Sequence, residues 1–196
     1  MSLFIAMCFF SLSMSISPGP VNITILSSGV NYGFKHSLPF VSGSTVGFTF
    51  LLTAVGLGVS NLVAQVPIFY ELLRYIGTGY MSYIGYKIMV SHTEIELKEE
   101  QLPRFRHGFL MQWLNPKAWI ACLSGVSAFG SNTSYSMLLV FVVIYFLICY
   151  LSLASWALLG SKLQFLMKVK NGIKVFNLVM GGSLIIVAIF LLFSNY

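Results

Sequence analysis

Residues 137–159 read MLLVFVVIYFLICYLSLASWALL, without one charged side chain. An apolar run of that length is the mark of a helix that crosses a bilayer. It does not alternate as a strand of a membrane barrel would. The whole chain follows suit. Of its 196 residues 57% are hydrophobic and 8% charged, and mean hydropathy is +0.86. A soluble domain carries about 25% charged residues. One core cannot absorb this much apolar surface, so lipid is the expected solvent for most side chains.

Six spans fit, over residues 3–29, 38–62, 67–90, 107–130, 137–160 and 174–194. Each covers a hydrocarbon core of about 30 Å at about 1.5 Å per residue. The first lacks a basic leader region and an A-x-A site, so it reads as a membrane helix rather than a signal peptide. The expected fold is an all-α integral membrane protein.

Basic residues set the orientation. Lys35 lies between spans 1 and 2. Lys87, Lys98, Arg104 and Arg106 lie around the connection of spans 3 and 4, and Lys162, Lys168, Lys170 and Lys174 around that of spans 5 and 6. The other connections and both ends have none. By the positive-inside rule the odd-numbered connections are cytoplasmic and both termini face outward, into the periplasm of a cell with two membranes. The net charge of +6 is therefore a topology signal, not a sign of nucleic-acid binding. The polar stretch SHTEIELKEEQLPRFRH (91–107) holds four of the five acidic residues and reads as a solvated cytoplasmic linker.

That linker divides the chain into a first three-helix unit (1–90), a connection (91–106) and a second three-helix unit (107–196). Two similar units of three spans insert with opposite orientation, the arrangement of inverted-repeat transporters. SPGP begins at Ser17 in span 1 and LNPK at Leu114 in span 4, so each unit carries a proline break in its first helix.

Pro18 lies roughly 22 Å along its helix and Pro116 roughly 15 Å along its own, both near the midplane. Proline removes an N–H and clashes with the preceding turn. Pro18 and Pro20 together exclude continuous helix over 17–20, and Gly19 eases the irregular backbone that replaces it. Such irregularity survives in a membrane only where protein or a water-filled cavity surrounds it. Each break also starts a new helix. Pro20 suits a first helical turn, and Asn115 before Pro116 reads as a cap followed by proline at the first position. Helix N-termini present unsatisfied N–H groups and partial positive charge, which suit a carboxylate. The plain alternative is a pair of proline kinks.

Lys117 adds to the second break. At a helix centre a lysine costs roughly 2.5–3.5 kcal/mol. A reach of about 6 Å does not bring it to the interface by snorkelling. It either lines a cavity and attracts a substrate carboxylate, acts as a protonation switch, or bonds the freed carbonyls of span 1. Asn22, Thr24 and Gln112 are candidate polar linings. Glu71 and Arg74, one turn apart in span 3, form either an interfacial ion pair or a gate and proton-coupling pair. Glu71 is the one acid outside the linker. Gly43 with Gly47, Gly77 with Gly85, and Gly181 with Gly182 read as close-packing positions.

Other chemistry is not indicated. Cys8, Cys122 and Cys149 are scattered within spans and read as small apolar fillers, and His36, His92 and His107 lie at span ends. No metal site and no cofactor are expected. There is no clustered acid–base set for a membrane enzyme and no Walker loop for nucleotide drive. A scaffold protein gives no reason for paired midplane breaks. A homodimer is compatible with the sequence, and no surface pattern selects it.

Four pieces together resemble the LysE/RhtB superfamily of bacterial amino-acid exporters. They are SPGPVN (17–22), Gly33 with Gly43 and Gly47, RYIGTGYMSYIGYKI (74–88) and FRHGFLMQWLNPKA (105–118). The resemblance runs over nearly the whole chain and is nearest the cysteine and O-acetylserine exporter type. It departs at Val21, where the family often has Asn directly after P-G-P, and at His36 or Ser37, where it often has Gly. The resemblance implies export of amino acids or their derivatives from the cytoplasm across the inner membrane, driven by protons. On that basis Pro18, Gly19, Pro20, Asn22, Gln112, Asn115, Pro116 and Lys117 are the expected substrate site. A cavity with a lysine, two positive helix ends and at most Glu71 suits a neutral amino acid better than a basic one.

Overall fold

The computed structural model describes residues 3–59, 67–90, 104–129, 135–169 and 171–193, and among these it is helical nearly throughout, with no strand. Seven α-helices follow in order: α1 (Leu3–Ile16), α2 (Pro20–Ala54), α3 (Pro67–Met89), α4 (Phe105–Trp113), α5 (Pro116–Phe129), α6 (Tyr135–Lys162) and α7 (Gly172–Phe193). Val55–Val59 extends α2 as a π-helical turn, and Leu163–Lys168 extends α6 as a 3-10 turn. Pro20–Gly58, Ser136–Phe165 and Gly172–Phe190 are long and apolar enough to cross a membrane by length and composition. Of the expected polar connection, residues 91–103 lie outside the described residues.

Both proline breaks occur where the sequence places them. α1 ends at Ile16 and α2 begins at Pro20; α4 ends at Trp113 and α5 begins at Pro116. The connection expected over 30–37 is different. Helix runs through it except at Gly33, whose φ of +81° is left-handed backbone. That region suits a residue without Cβ. Ser28 and Ser37 Oγ lie 2.7 Å apart across it. Nine residues of straight helix would separate them by about 13.5 Å, so the chain folds back at Gly33. Ser37 Oγ also donates to Gly33 O (2.9 Å). One glycine replaces a loop because serine hydroxyls on both limbs hold the reversal. Lys35 and His36 stay exposed on it.

The two limbs of α2 are the centre of the molecule. The first packs on α6, where Gly29 meets Gly160 backbone to backbone. The second packs on α4, where Gly43 faces Phe105 O, Gly47 faces Phe109 O and Gly108 faces Phe40 O. α3 pairs with α7 through Gly85 and Gly181. A Cβ at any of these contacts would run into a carbonyl. The glycines therefore let the helices approach closely enough for dispersion forces, the main attraction between helices in lipid.

Polarity is arranged inside out. The interior holds Ser11, Asn22, Thr24, Ser44, Thr45, Gln112, Asn115 and Asn177 beside Ile25, Leu51, Phe141 and Leu184. The outer faces carry Leu139, Leu147, Leu151, Ile186, Phe190 and Phe193, the last 77% exposed. Apolar exterior on this scale exceeds the patches a water-soluble monomer tolerates, and agrees with a lipid surround.

Substituting Gly43→Ala is expected to cost about 1–3 kcal/mol through overpacking against Phe105. Gly79→Ala, where no atom lies within 4 Å of the added carbon, is expected to leave stability unchanged or slightly raised. Thermal unfolding of the purified protein in detergent separates the two.

Candidate functional site

The break between α1 and α2 leaves the last carbonyls of α1 without intrahelical donors. Each finds one elsewhere. Ser15 O accepts from Asn22 Nδ2 (2.9 Å), and Ile16 O accepts from Trp156 Nε1 (3.1 Å). Lys117 Nζ donates to Ser17 O (2.8 Å), Ser17 Oγ (2.9 Å) and Pro18 O (3.4 Å). Its side chain passes over Gly19, where a Cβ would lie 3.0 Å from Lys117 Cδ. Gly19 itself is fully extended (φ −166°), so its role here is room for the lysine rather than an unusual backbone angle.

At the start of α2 the first intrahelical bond runs from Ile23 N–H to Gly19 O (3.0 Å). The N–H groups of Val21 and Asn22 precede it, and Gly19 has no side chain to cap them. The second break is closed by its own residues. Asn115 Oδ1 accepts from Lys117 N–H (3.1 Å), the cap expected from Asn-Pro, and Trp119 Nε1 donates to Trp113 O (2.8 Å). Of the two helix ends, only that of α2 keeps free N–H donors; that of α5 is capped by Asn115.

A small, partly open cavity of about 30 Å³ lies against both breaks. Asn22, Gln112, Asn115 and Lys117 line it. Pro18, Gly19, Pro20 and Pro116 do not; they shape the backbone behind it. Thr24 is turned away and donates to Pro20 O (2.9 Å). Glu71 and Arg74 lie on α3, and their side chains are outside the described residues.

The rest of the lining was not read from the sequence. Met14, Val21, Ala118, Ala121 and Leu153 make apolar wall. Phe48 stacks on Tyr145 with centroids 4.3 Å apart. Ser15, Tyr145 and Cys149 add neutral polar groups, so Cys149 is a cavity residue and not only filler. One signal was present: Tyr145 and Cys149 are spaced i,i+4 and share a helix face. Among the described lining residues none is acidic, and no cluster of metal-ligating side chains occurs among the described residues. The arrangement offers two backbone donors and a cation to an anionic group, and neutral groups to the remainder of a small molecule.

The family model for LysE type translocators matches residues 12–195. The chain belongs to the LysE translocator family. A cysteine/O-acetylserine efflux protein of Escherichia coli is 29% identical over 121 residues, 61% of this chain and 62% of that protein. An uncharacterised membrane protein of Vibrio cholerae is 30% identical over 111 residues, 53% of each chain. The aligned part thus spans between half and two thirds of the curated relatives it matches. No solved structure matches the chain.

Lys117→Ala is expected to lower stability by about 1.5–3 kcal/mol, the scale of hydrogen bonds from a charged donor. Asn115→Ala is expected to lower it by about 1 kcal/mol through loss of the cap. Melting curves in detergent check the order of the two.

Proposed function

We propose that this LysE-family translocator exports neutral amino acids or their derivatives, such as cysteine, O-acetylserine, homoserine or threonine, out of the cytoplasm. The carrying observation is the cavity at the two breaks, with the free N–H groups of Val21 and Asn22 at one edge, Lys117 beside them and no acidic lining among the described residues. A carboxylate fits the donors. A cationic side chain finds no counter-charge there. The Escherichia coli relative, named a cysteine/O-acetylserine efflux protein, points the same way.

The proposed architecture is six transmembrane helices as two inverted three-helix repeats, residues 1–90 and 107–196, joined by 91–106. Helices 1 and 4 are the proline-broken ones. Exchanging span 1 with 4, 2 with 5 and 3 with 6 turns a contact of spans 1 and 5 into one of 4 and 2, and leaves 3 with 6 unchanged. The glycine contacts obey this rule: Gly29 with Gly160, Gly43 and Gly47 with α4, and Gly85 with Gly181. Transport by alternating access is then a rocking of the halves around the breaks. Proton antiport supplies the drive, with Glu71 and Arg74 as the gate or coupling pair. The protein sits in the bacterial inner membrane with both termini periplasmic. A reporter fused after Tyr196 that is active only in the periplasm tests the orientation, and cytoplasmic activity overturns it.

The functional test is transport of a panel of labelled amino acids into inside-out vesicles, compared at equal amounts of folded protein. Wild type is expected to carry neutral amino acids, a protonophore to suppress the flux, and Lys117→Ala to abolish it. Transport of no amino acid by wild type overturns the exporter reading. Preference for lysine or arginine overturns the neutral-substrate part.

A further inference from the structure

Ser15 is buried at 7% exposure, and its hydroxyl makes no hydrogen bond of good geometry. This is unusual for a serine in an apolar helix. Such a serine ordinarily returns its proton to the carbonyl four residues back, as Ser11 does to Met7 O (2.7 Å). Ser15 does not. It is held in place through its own carbonyl by Asn22, and its side chain turns to the cavity, toward the hydroxyl of Tyr145 and the thiol of Cys149. It forms a well-made hydrogen bond with neither. A buried polar atom without a partner costs about 1–3 kcal/mol, and in a native site it calls for an explanation.

The surroundings fix this group of side chains rigidly. The Tyr145 ring stacks on Phe48 and meets Phe141 edge-on at 5.8 Å. Tyr145 and Cys149 are 2% and 3% exposed. Tyr145 and Cys149 stand on α6 and Ser15 on the last turn of α1, while the free N–H groups stand on α2 and the ammonium of Lys117 on α5. One region therefore offers positive charge. The other offers neutral groups able to donate or accept.

Resting on the exporter reading above, we propose that Ser15, Tyr145 and Cys149 form the subsite that reads the substrate's side chain. The carboxylate is held at the start of α2. The subsite selects a short side chain bearing a hydroxyl, thiol or acyl oxygen over a hydrocarbon of the same shape, because only the former completes the bonding of Ser15 Oγ. A site built to hydrogen-bond a substrate discriminates through the polar atoms left unpaired when an apolar analogue enters.

Two isosteric pairs test this in inside-out vesicles: threonine against valine, and cysteine kept reduced against 2-aminobutyrate. Wild type is expected to favour the polar member of each pair. Ser15→Ala and Tyr145→Phe are expected to lower the threonine-to-valine ratio about tenfold, the scale of one net hydrogen bond. Ser15→Ala deletes a hydroxyl that makes no hydrogen bond of good geometry, so its melting temperature in detergent is expected to hold, and Tyr145→Phe provides an independent second variant. An unchanged ratio in both variants, including equal loss of both fluxes, overturns the proposal. A wild type that carries none of the four amino acids instead overturns the exporter reading beneath it. The two failures differ because one is seen in the variants and the other in wild type.

Discussion

The four carbonyls from Ser15 to Pro18, at the end of α1 and in the break after it, govern the rest of the molecule. In hydrocarbon a backbone oxygen without a donor costs several kcal/mol, so ending a helix at mid-depth requires donors from elsewhere. They come from three other helices: Asn22 on α2, Lys117 on α5 and Trp156 on α6. None of these can withdraw without exposing a carbonyl. The break is thus the point where α1, α2, α5 and α6 are tied together, and the cavity lies where they converge. The same reasoning bears on Gly19, since a Cβ there would press on the lysine that reaches Ser17 and Pro18 and make it shift by a few tenths of an ångström.

The two breaks are alike in sequence and unlike in how they are satisfied. The second closes on itself, through the Asn115 cap and the Trp119 indole, within one short segment. The first closes partly through nearby residues, Ser17 on Met14 O and Asn22 on Ser15 O, and partly through Lys117 and Trp156 from distant helices. A locally capped end keeps its geometry when neighbouring helices shift. An end capped by other helices changes with them. On the proposed reading of two halves that rock against each other, this difference would make the first break the place where a bound molecule feels their motion.

The helices and both breaks were legible in the sequence because charge-free runs, Pro-Gly-Pro and Asn-Pro act locally. Lys117 was legible as a residue that needs a partner. Its actual partners were one of several alternatives, because a lysine's reach does not reveal which acceptor lies within it. The reversal at Gly33 was not legible. Its cause is a positive φ held by a Ser28–Ser37 contact that only folding creates. Ser15, Tyr145 and Cys149 escaped for a different reason. Periodicity marks a buried face by contrast with a polar one, and in α1 and α6 the outward face is apolar too. In a membrane helix the inward side is marked by a few weakly polar atoms, and serine, tyrosine and cysteine pass as ordinary lipid-span residues.

On the exporter reading, these constraints bear on how a substrate could drive a change of state. A ligand shifts an equilibrium only as far as it binds the two states differently. The α2 N–H groups belong to one helix and travel with it, so contact with them alone discriminates little between arrangements of the halves. Lys117 is different, because it stands on the second half and bonds the first. Its three donors are matched by three acceptors at the α1 end. A carboxylate is a stronger partner for an ammonium than a neutral carbonyl is. A carboxylate seated at α2 therefore competes for the bond that ties the halves together, and binding and release of α1 become two sides of one exchange of hydrogen bonds.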